Sequence, residues 1–477
     1  MEAKRVLDIF KEITTIPRES GHEGPVTDWL CRWAEEHSLE YKRDATGNVL
    51  IIRPAAPGRE KVPAIVLQSH QDMVCEKNAG VKHDFRKDPI RYVIEDGWMI
   101  AKDTTLGADD GIGIAASLAL LEDSAPTGRI ECLFTISEET GMDGAEALEK
   151  GFFDAKTLIN LDSEDEGQLF IGCAGGLNTN IRFRLARTGA LPDERFVRCT
   201  LSGGIGGHSG DDINKDRANA VQLMSRFLCG RLEDGLRLVS MNGGGKPNAI
   251  ARECEAVVAV KDTAALVKAF KAFGADLKEE FHNTDPDLKC KAEEVVPAKP
   301  FRPLAEASGK RLVRALFACP HGVQAMSQDI PGLVPTSTNL ASIRLSEDAG
   351  VAVIVTSQRS SATSERRAMA ARVRANFEAA GAVVRHMYEY PGWNPDMNSH
   401  VLARTVDAYR KLFSAEPEVK AIHAGLECGL FLQKFPGLDM ISFGPTLRGV
   451  HAPGEKMELA SLDKFVALLD EVVRNYE

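Results

Sequence analysis

The sequence predicts an α/β domain, a mostly parallel sheet with helices on both faces, interrupted by an inserted α+β domain. Three observations carry this. Short apolar runs recur between residues 43 and 175 with helical patterns between them, and the same style returns near the C-terminus. The stretch from about 181 to 390 instead alternates polar and apolar residues in strands separated by charged amphipathic helices. A chain of 477 residues is also too long for one ordinary core. The expected division is 1–182 and 386–477 for the first domain, with 183–385 inserted.

Taken in order, Val6, Leu7, Ile9, Phe10 and Ile13 fit one face of an opening amphipathic helix. Buried strands are expected at 48–53, 64–69, 130–136, 157–161 and 168–172, with helices at 111–123 and 144–153. In the inserted part, NTNIRFRLA, RFVRCTLSG, CEAVVAVKD and VAVIVTSQRS read as half-exposed strands, and 217–229, 263–281 and 364–380 as helices. An internal duplication is a further expectation. NAIARECEAVVAVKD, a helix and LKCKAEEV are similar to NLASIRLSEDAGVAVIVTSQRS, a helix and VVRHMYEY, with Asn248 and Asn339 opening the two copies. A helix near 399–413, a strand at 438–444 and a helix at 459–476 complete the first domain.

Composition narrows the function. Apolar residues at 44% and charged residues at 27% are those of a globular protein. A formal charge of −11 without a long basic run argues against nucleic acid. No run of about eighteen apolar residues is present to span a bilayer, and the opening residues lack a signal-peptide core. Ten cysteines are scattered without a Cys-x-x-Cys pair, which fits a reducing, cytoplasmic setting. GADDGIG and GGIGGHS lack the spacing or the lysine of nucleotide-binding loops.

The informative residues stand at the exits of the buried strands. His70 and Asp72 come directly after AIVLQS, Glu138 and Glu139 after IECLFTIS, and Asp162 after TLINL. Asp109 and Asp110 precede the helix at 111, and His451 comes after LDMISFGPTLRGV. Each alone suits a solvated turn or a helix cap. Together, at strand exits where open α/β sheets build their sites, they suit a metal centre. Three carboxylates and a hydroxide balance two divalent cations, and two imidazoles complete a mixed N/O shell. Glu138 is then left free to act on water, and Asp72, on the same side as His70, can orient that ring.

HQDMV, LGADDGIG, SEETGMDG, NLDSED and VHAPGE, in this order, resemble the M20 family of metallopeptidases, more narrowly its aminoacyl-histidine dipeptidase branch. The resemblance implies hydrolysis of small peptides, Xaa-His dipeptides among them. The cofactor it implies is two divalent ions, zinc with manganese or cobalt as alternatives. By this likeness Asp109 bridges the ions, His70 and Asp162 complete one, and Glu139 and His451 the other. Glu138 becomes the general base, Asp72 the His-orienting carboxylate, and the Asp109–Asp110 peptide is expected to be cis. The inserted segment is similar to the family's lid, doubled in length. GGIGGHSG and GGGKPNAI match its His (His208) and Asn (Asn248) motifs, and TSQRS its carboxylate-binding arginine (Arg359). HAGLECG leaves two readings of Glu427, a partner for the substrate's amino group or a structural carboxylate, and leaves His423 unassigned. A homodimer is compatible with the resemblance. The rival readings are an N-acyl amino-acid deacylase on the same scaffold and a non-catalytic binding protein.

Overall fold

The computed structural model describes residues 1–328 and 330–477. The chain forms two compact units. One comprises Met1–Gly172, Trp393–Ala421 and Leu426–Glu477, the other Cys173–Gly392 with Ile422–Gly425.

The first unit is built on an eight-stranded sheet in the order Glu40–Arg43, Val49–Arg53, Ile130–Thr135, Ile65–His70, Thr157–Asn160, Asp439–Ser442, Gln168–Cys173, Glu418–Ile422. Ile130–Thr135, Ile65–His70, Thr157–Asn160 and Asp439–Ser442 are mutually parallel. Pairing turns antiparallel on both sides of these four, and at the far edge Glu418–Ile422 runs parallel to Gln168–Cys173, so the sheet is mixed but mostly parallel. Every residue of Ile65–His70, Ile130–Thr135 and Thr157–Asn160 is buried, which is why these strands carry apolar clusters in place of a polar/apolar alternation. The Ala3–Ile13 helix buries Val6, Ile9, Phe10 and Ile13. The Ala108–Glu122 helix is buried almost all round.

Two local expectations change. The helix expected at 144–153 closes at Asp143–Ala147, because Leu148 turns to ψ 126° and Gly151 takes φ +84°. A hairpin not read from the sequence joins Tyr92–Glu95 to Trp98–Ala101. Its turn residues Asp96 and Gly97 sit at φ 50° and 80°, as a two-residue Asp-Gly turn requires.

The second unit is a wholly antiparallel sheet in the order Lys289–Val295, Arg195–Ser202, Cys254–Val260, Arg237–Gly244, Thr336–Leu345, Val351–Ser360, Gly175–Arg184, Val383–Tyr390, with Gly322–Ala325 paired beside Thr336–Leu345. The helices Ala220–Cys229, Thr263–Glu280, Glu306–Phe317 and Thr363–Ala379 cover one face. Phe183, Leu201, Phe227, Phe270, Leu316, Ile354 and Phe377 meet in the core between. Counted inward from its two edges, the sheet has one matching succession, Lys289–Val295, Arg195–Ser202, Cys254–Val260, Arg237–Gly244 from one side and Val383–Tyr390, Gly175–Arg184, Val351–Ser360, Thr336–Leu345 from the other. The halves meet where Met241–Gly244 pairs with Ser342–Leu345. Asn248 and Asn339 are not equivalent within that succession. Asn248 lies in the loop after Arg237–Gly244, whereas Asn339 lies inside Thr336–Leu345, because the alternating pattern aligns faces without fixing which strand is which.

Candidate metal centre

The three central parallel strands Ile130–Thr135, Ile65–His70 and Thr157–Asn160 run in one direction and deliver Glu138, Glu139, His70 and Asp162 beyond the same edge of the sheet. Asp109 enters from the first turn of the Ala108–Glu122 helix, and its peptide bond to Asp110 is cis. His451 comes from the loop before Lys456–Glu458.

His70 Nε2 lies 3.0 Å from Asp109 Oδ1 and 3.4 Å from Asp162 Oδ1. His451 Nε2 lies 3.2 Å from Asp109 Oδ2 and 3.0 Å from Glu139. Each imidazole nitrogen thus faces two carboxylates, although it carries at most one proton. A tetrahedral shell with bonds of about 2.0–2.1 Å sets its ligand atoms roughly 3.3 Å apart. The donor set fits divalent cations: His70, Asp109 and Asp162 form one group able to hold an ion, and Asp109, Glu139 and His451 a second. Asp109 turns one oxygen to each. His70, Glu138 and Glu139 are also close enough to form a group, but that set leaves out Asp109.

The protein's own charges leave this cluster too negative. Burial pushes the Glu138 carboxyl well above the usual range, with Glu427, Glu139 and Asp109 adding to the rise against the pull of His70. Burial likewise raises Asp162, opposed by His70. Burial would raise Asp109 too, but His451 and His70 hold it far below the usual range. Asp110, buried beside it and not turned to either histidine set, is pushed up to about 8. Added positive charge is what such a cluster calls for.

Behind these groups the backbone is held by side chains that bear no ligand. His70 Nδ1 lies 3.1 Å from the Asp72 carbonyl oxygen and 3.4 Å from its Oδ1, which leaves Nε2 turned to the carboxylates. Asp72 also accepts the Glu138 N–H at 3.0 Å and the Glu139 N–H at 3.2 Å, with the Ser20 hydroxyl donating at 2.8 Å. Glu23 accepts the N–H and hydroxyl of Ser137. The sequence reading missed Arg18, Ser20, Glu23 and Glu455. Glu455 stands in the VHAPGE motif, and the other three stand in PRESGHE.

Glu427 is fully buried, and one oxygen accepts from Gln68 at 2.6 Å and Thr135 at 2.8 Å. Its other oxygen is buried without a hydrogen-bond partner.

In the second unit His208 and Arg359 are brought together. Arg359 Nη2 donates to His208 Nε2 at 3.3 Å, Nη1 to the Tyr390 hydroxyl at 3.3 Å, and Nε to Ser209 at 3.4 Å. Nδ1 of the same ring accepts the Gly210 and Asp211 N–H groups, each at 3.3 Å, and lies 3.2 Å from Asp211 Oδ2. Asn248 is exposed, and its main-chain oxygen accepts the Ser209 N–H at 2.8 Å.

His423 is buried, with Nε2 2.7 Å from Ser337 Oγ. Burial, with Arg359 and His208 nearby, pushes its pKa down to about 3 against the opposing pull of Asp211. A folded pKa below the unfolded value means that the unfolded chain binds the extra proton, so stability falls as pH drops below about 6.5. His423 should cost the second unit about 2 kcal/mol between pH 7.5 and 5. Denaturant melts at both pH values should show a shallower acid loss by that amount in His423→Gln. An unchanged acid limb would mean that His423 is not held neutral.

Fold and site together define the class. Residues 66–475 match the model of peptidase family M20/M25/M40, and the chain belongs to that family of peptide-bond hydrolases. It is 38% identical over 476 residues to the cytosol non-specific dipeptidase of Escherichia coli (strain K12), an alignment covering 98% of this chain and 96% of that protein. The crystal structure of aminoacylhistidine dipeptidase from Vibrio alginolyticus superposes with a TM-score of 0.92 at 39% identity, covering 99% of this chain and 96% of that one. Aminopeptidase PepT from Bacillus cereus shares the fold, with a TM-score of 0.59 at 18% identity over 99% and 98% of the two chains.

Proposed function

We propose that this chain hydrolyses dipeptides, aminoacyl-histidine dipeptides among them, at a binuclear divalent metal centre. The observation that carries the reading is Asp109, whose two oxygens face two separate histidines, each flanked by one further carboxylate. The Escherichia coli and Vibrio alginolyticus dipeptidases supply the substrate class. Zinc suits the mixed N/O donor set, with manganese or cobalt as alternatives, and the name of the Escherichia coli relative supports a cytoplasmic setting. No helix among the described residues is long and apolar enough to cross a membrane.

The two ions, when bound, supply Lewis acidity toward water and the scissile carbonyl. Glu138, raised by burial and anchored through its N–H to Asp72, takes a proton from the attacking water and returns it to the leaving amine. Arg359 has donors for the substrate's C-terminal carboxylate. His208 stabilises the developing oxyanion only with a proton on Nε2, so its contact with Arg359 is given up when the substrate carboxylate takes the guanidinium. Asn248 keeps its matched role as a polar contact to the substrate. The matching strand order of the two halves supports an internal duplication, with one half carrying His208 and the other Arg359.

The test strips the protein with a chelator, reloads it with zinc, manganese or cobalt, and monitors release from Xaa-His dipeptides, other dipeptides and N-acyl amino acids. Activity on dipeptides that disappears with the metal and returns with it is expected. Faster cleavage of N-acyl amino acids would make the chain a deacylase, and full metal uptake without any hydrolysis would make it a binding protein.

A further inference from the structure

The 106–109 turn, which carries Asp109, is gripped from its two chemical sides by one buried acid and one buried base. Glu455 and Arg18 are each 2% exposed. Glu455 Oε2 accepts the N–H groups of Leu106 at 2.6 Å and Gly107 at 2.9 Å, and Oε1 those of Ala108 at 2.8 Å and Asp109 at 3.4 Å. Arg18 donates to the Gly107 carbonyl oxygen, and through its other terminal nitrogen to the carbonyl oxygens of Gln71 at 3.1 Å and Asp72 at 2.8 Å. One residue therefore ties the Asp109 turn to the chain just after His70. The other ties the same turn to the chain just after His451.

We propose that Arg18 and Glu455 are positioning residues that form a two-sided backbone clamp and set the spacing of the metal ligands. Neither touches the reacting atoms. A carboxylate that accepts every free N–H of a turn fixes where the next side chain starts, and a guanidinium whose donors span two segments fixes their separation. Asp109 has to meet a histidine on each side at once, so its origin must be held relative to both His70 and His451. The clamp joins those three segments through the segment that carries Arg18. The two charges also offset one another, as the favourable field of Glu455 at Arg18 indicates. A glycine at 107 fits this role. It lies at φ +71°, and a Cβ there would press on the Arg18 guanidinium and 2.8 Å from the Met73 sulfur.

The inference rests on the binuclear reading, so the experiment separates the two. Metal uptake by the stripped full-length protein is titrated against a chromogenic chelator, and the visible spectrum of the cobalt-loaded protein is recorded, for wild type, Glu455→Gln and Arg18→Lys. Glu455→Gln turns an NH₂ donor toward backbone donors. Arg18→Lys keeps the charge and loses the span. In each, metal affinity should fall roughly 10–100-fold, the level typical of groups that hold metal ligands. The cobalt spectrum should change, and kcat should fall with KM little altered. Two variants guard against one failing to fold. A folded variant that binds two ions with wild-type affinity and an unchanged cobalt spectrum would overturn the clamp, even if it melts earlier. Wild type that takes up fewer than two ions would overturn the binuclear reading instead.

Discussion

Replacing Glu138 by Gln should lower kcat about 10²–10⁴-fold while both ions stay bound. Glu138 lies outside the two groups that share Asp109, so on the proposed reading its removal takes away a base and not one of their ligands. Gln keeps the shape and the N–H bonded to Asp72, so the turn should stay in place. The carboxylate is buried among other acids and its affinity for a proton is raised, the direction a base requires. Metal content by elemental analysis and steady-state kinetics check the result together. Loss of an ion from this variant would mean that Glu138 and Glu139 have been assigned the wrong way round.

The second large effect is expected at Asp109. Asparagine offers one acceptor oxygen where Asp109 offers two, and its NH₂ group would face a histidine nitrogen that is 3.0 or 3.2 Å away. Asp109→Asn should therefore weaken both ion sites together, and by more than the roughly 10–100-fold that outer partners cost. Activity should fall with it. Calorimetric titration of the stripped variant measures this directly. Two ions held at wild-type affinity would remove Asp109 from the bridge.

Much of the ligand set was legible because it breaks a rule. Strands buried on both faces, such as Ile65–His70 and Ile130–Thr135, have no structural use for HQD or SEE at their exits. The groups holding those ligands were less legible for a physical reason. Arg18 and Glu455 bind main-chain atoms, and main-chain donors and acceptors leave no pattern in side-chain sequence. VHAPGE was visible as a motif, but only the fold shows what its buried Glu455 grips. The mixed sheet obeys the same logic. Apolar runs report burial on both faces and are silent about direction, so the antiparallel pairing of Val49–Arg53 with Ile130–Thr135 had no signal. The Tyr92–Ala101 hairpin did have one, the Asp96–Gly97 pair, between strands of only four residues each.

The chain leaves the first unit at Gly172 and returns to it at Trp393, with His70, Asp109, Glu139 and Asp162 before that excursion and His451 after it. An ion held by Asp109, Glu139 and His451 would therefore act as a crosslink that closes a very long loop. In the unfolded chain such a closure removes more freedom than a site made from neighbouring residues, since its entropy grows with the logarithm of loop length. On the binuclear reading, the catalytic ion is also a rivet, and a protein stripped of it loses one tie between its two separated segments along with its chemistry.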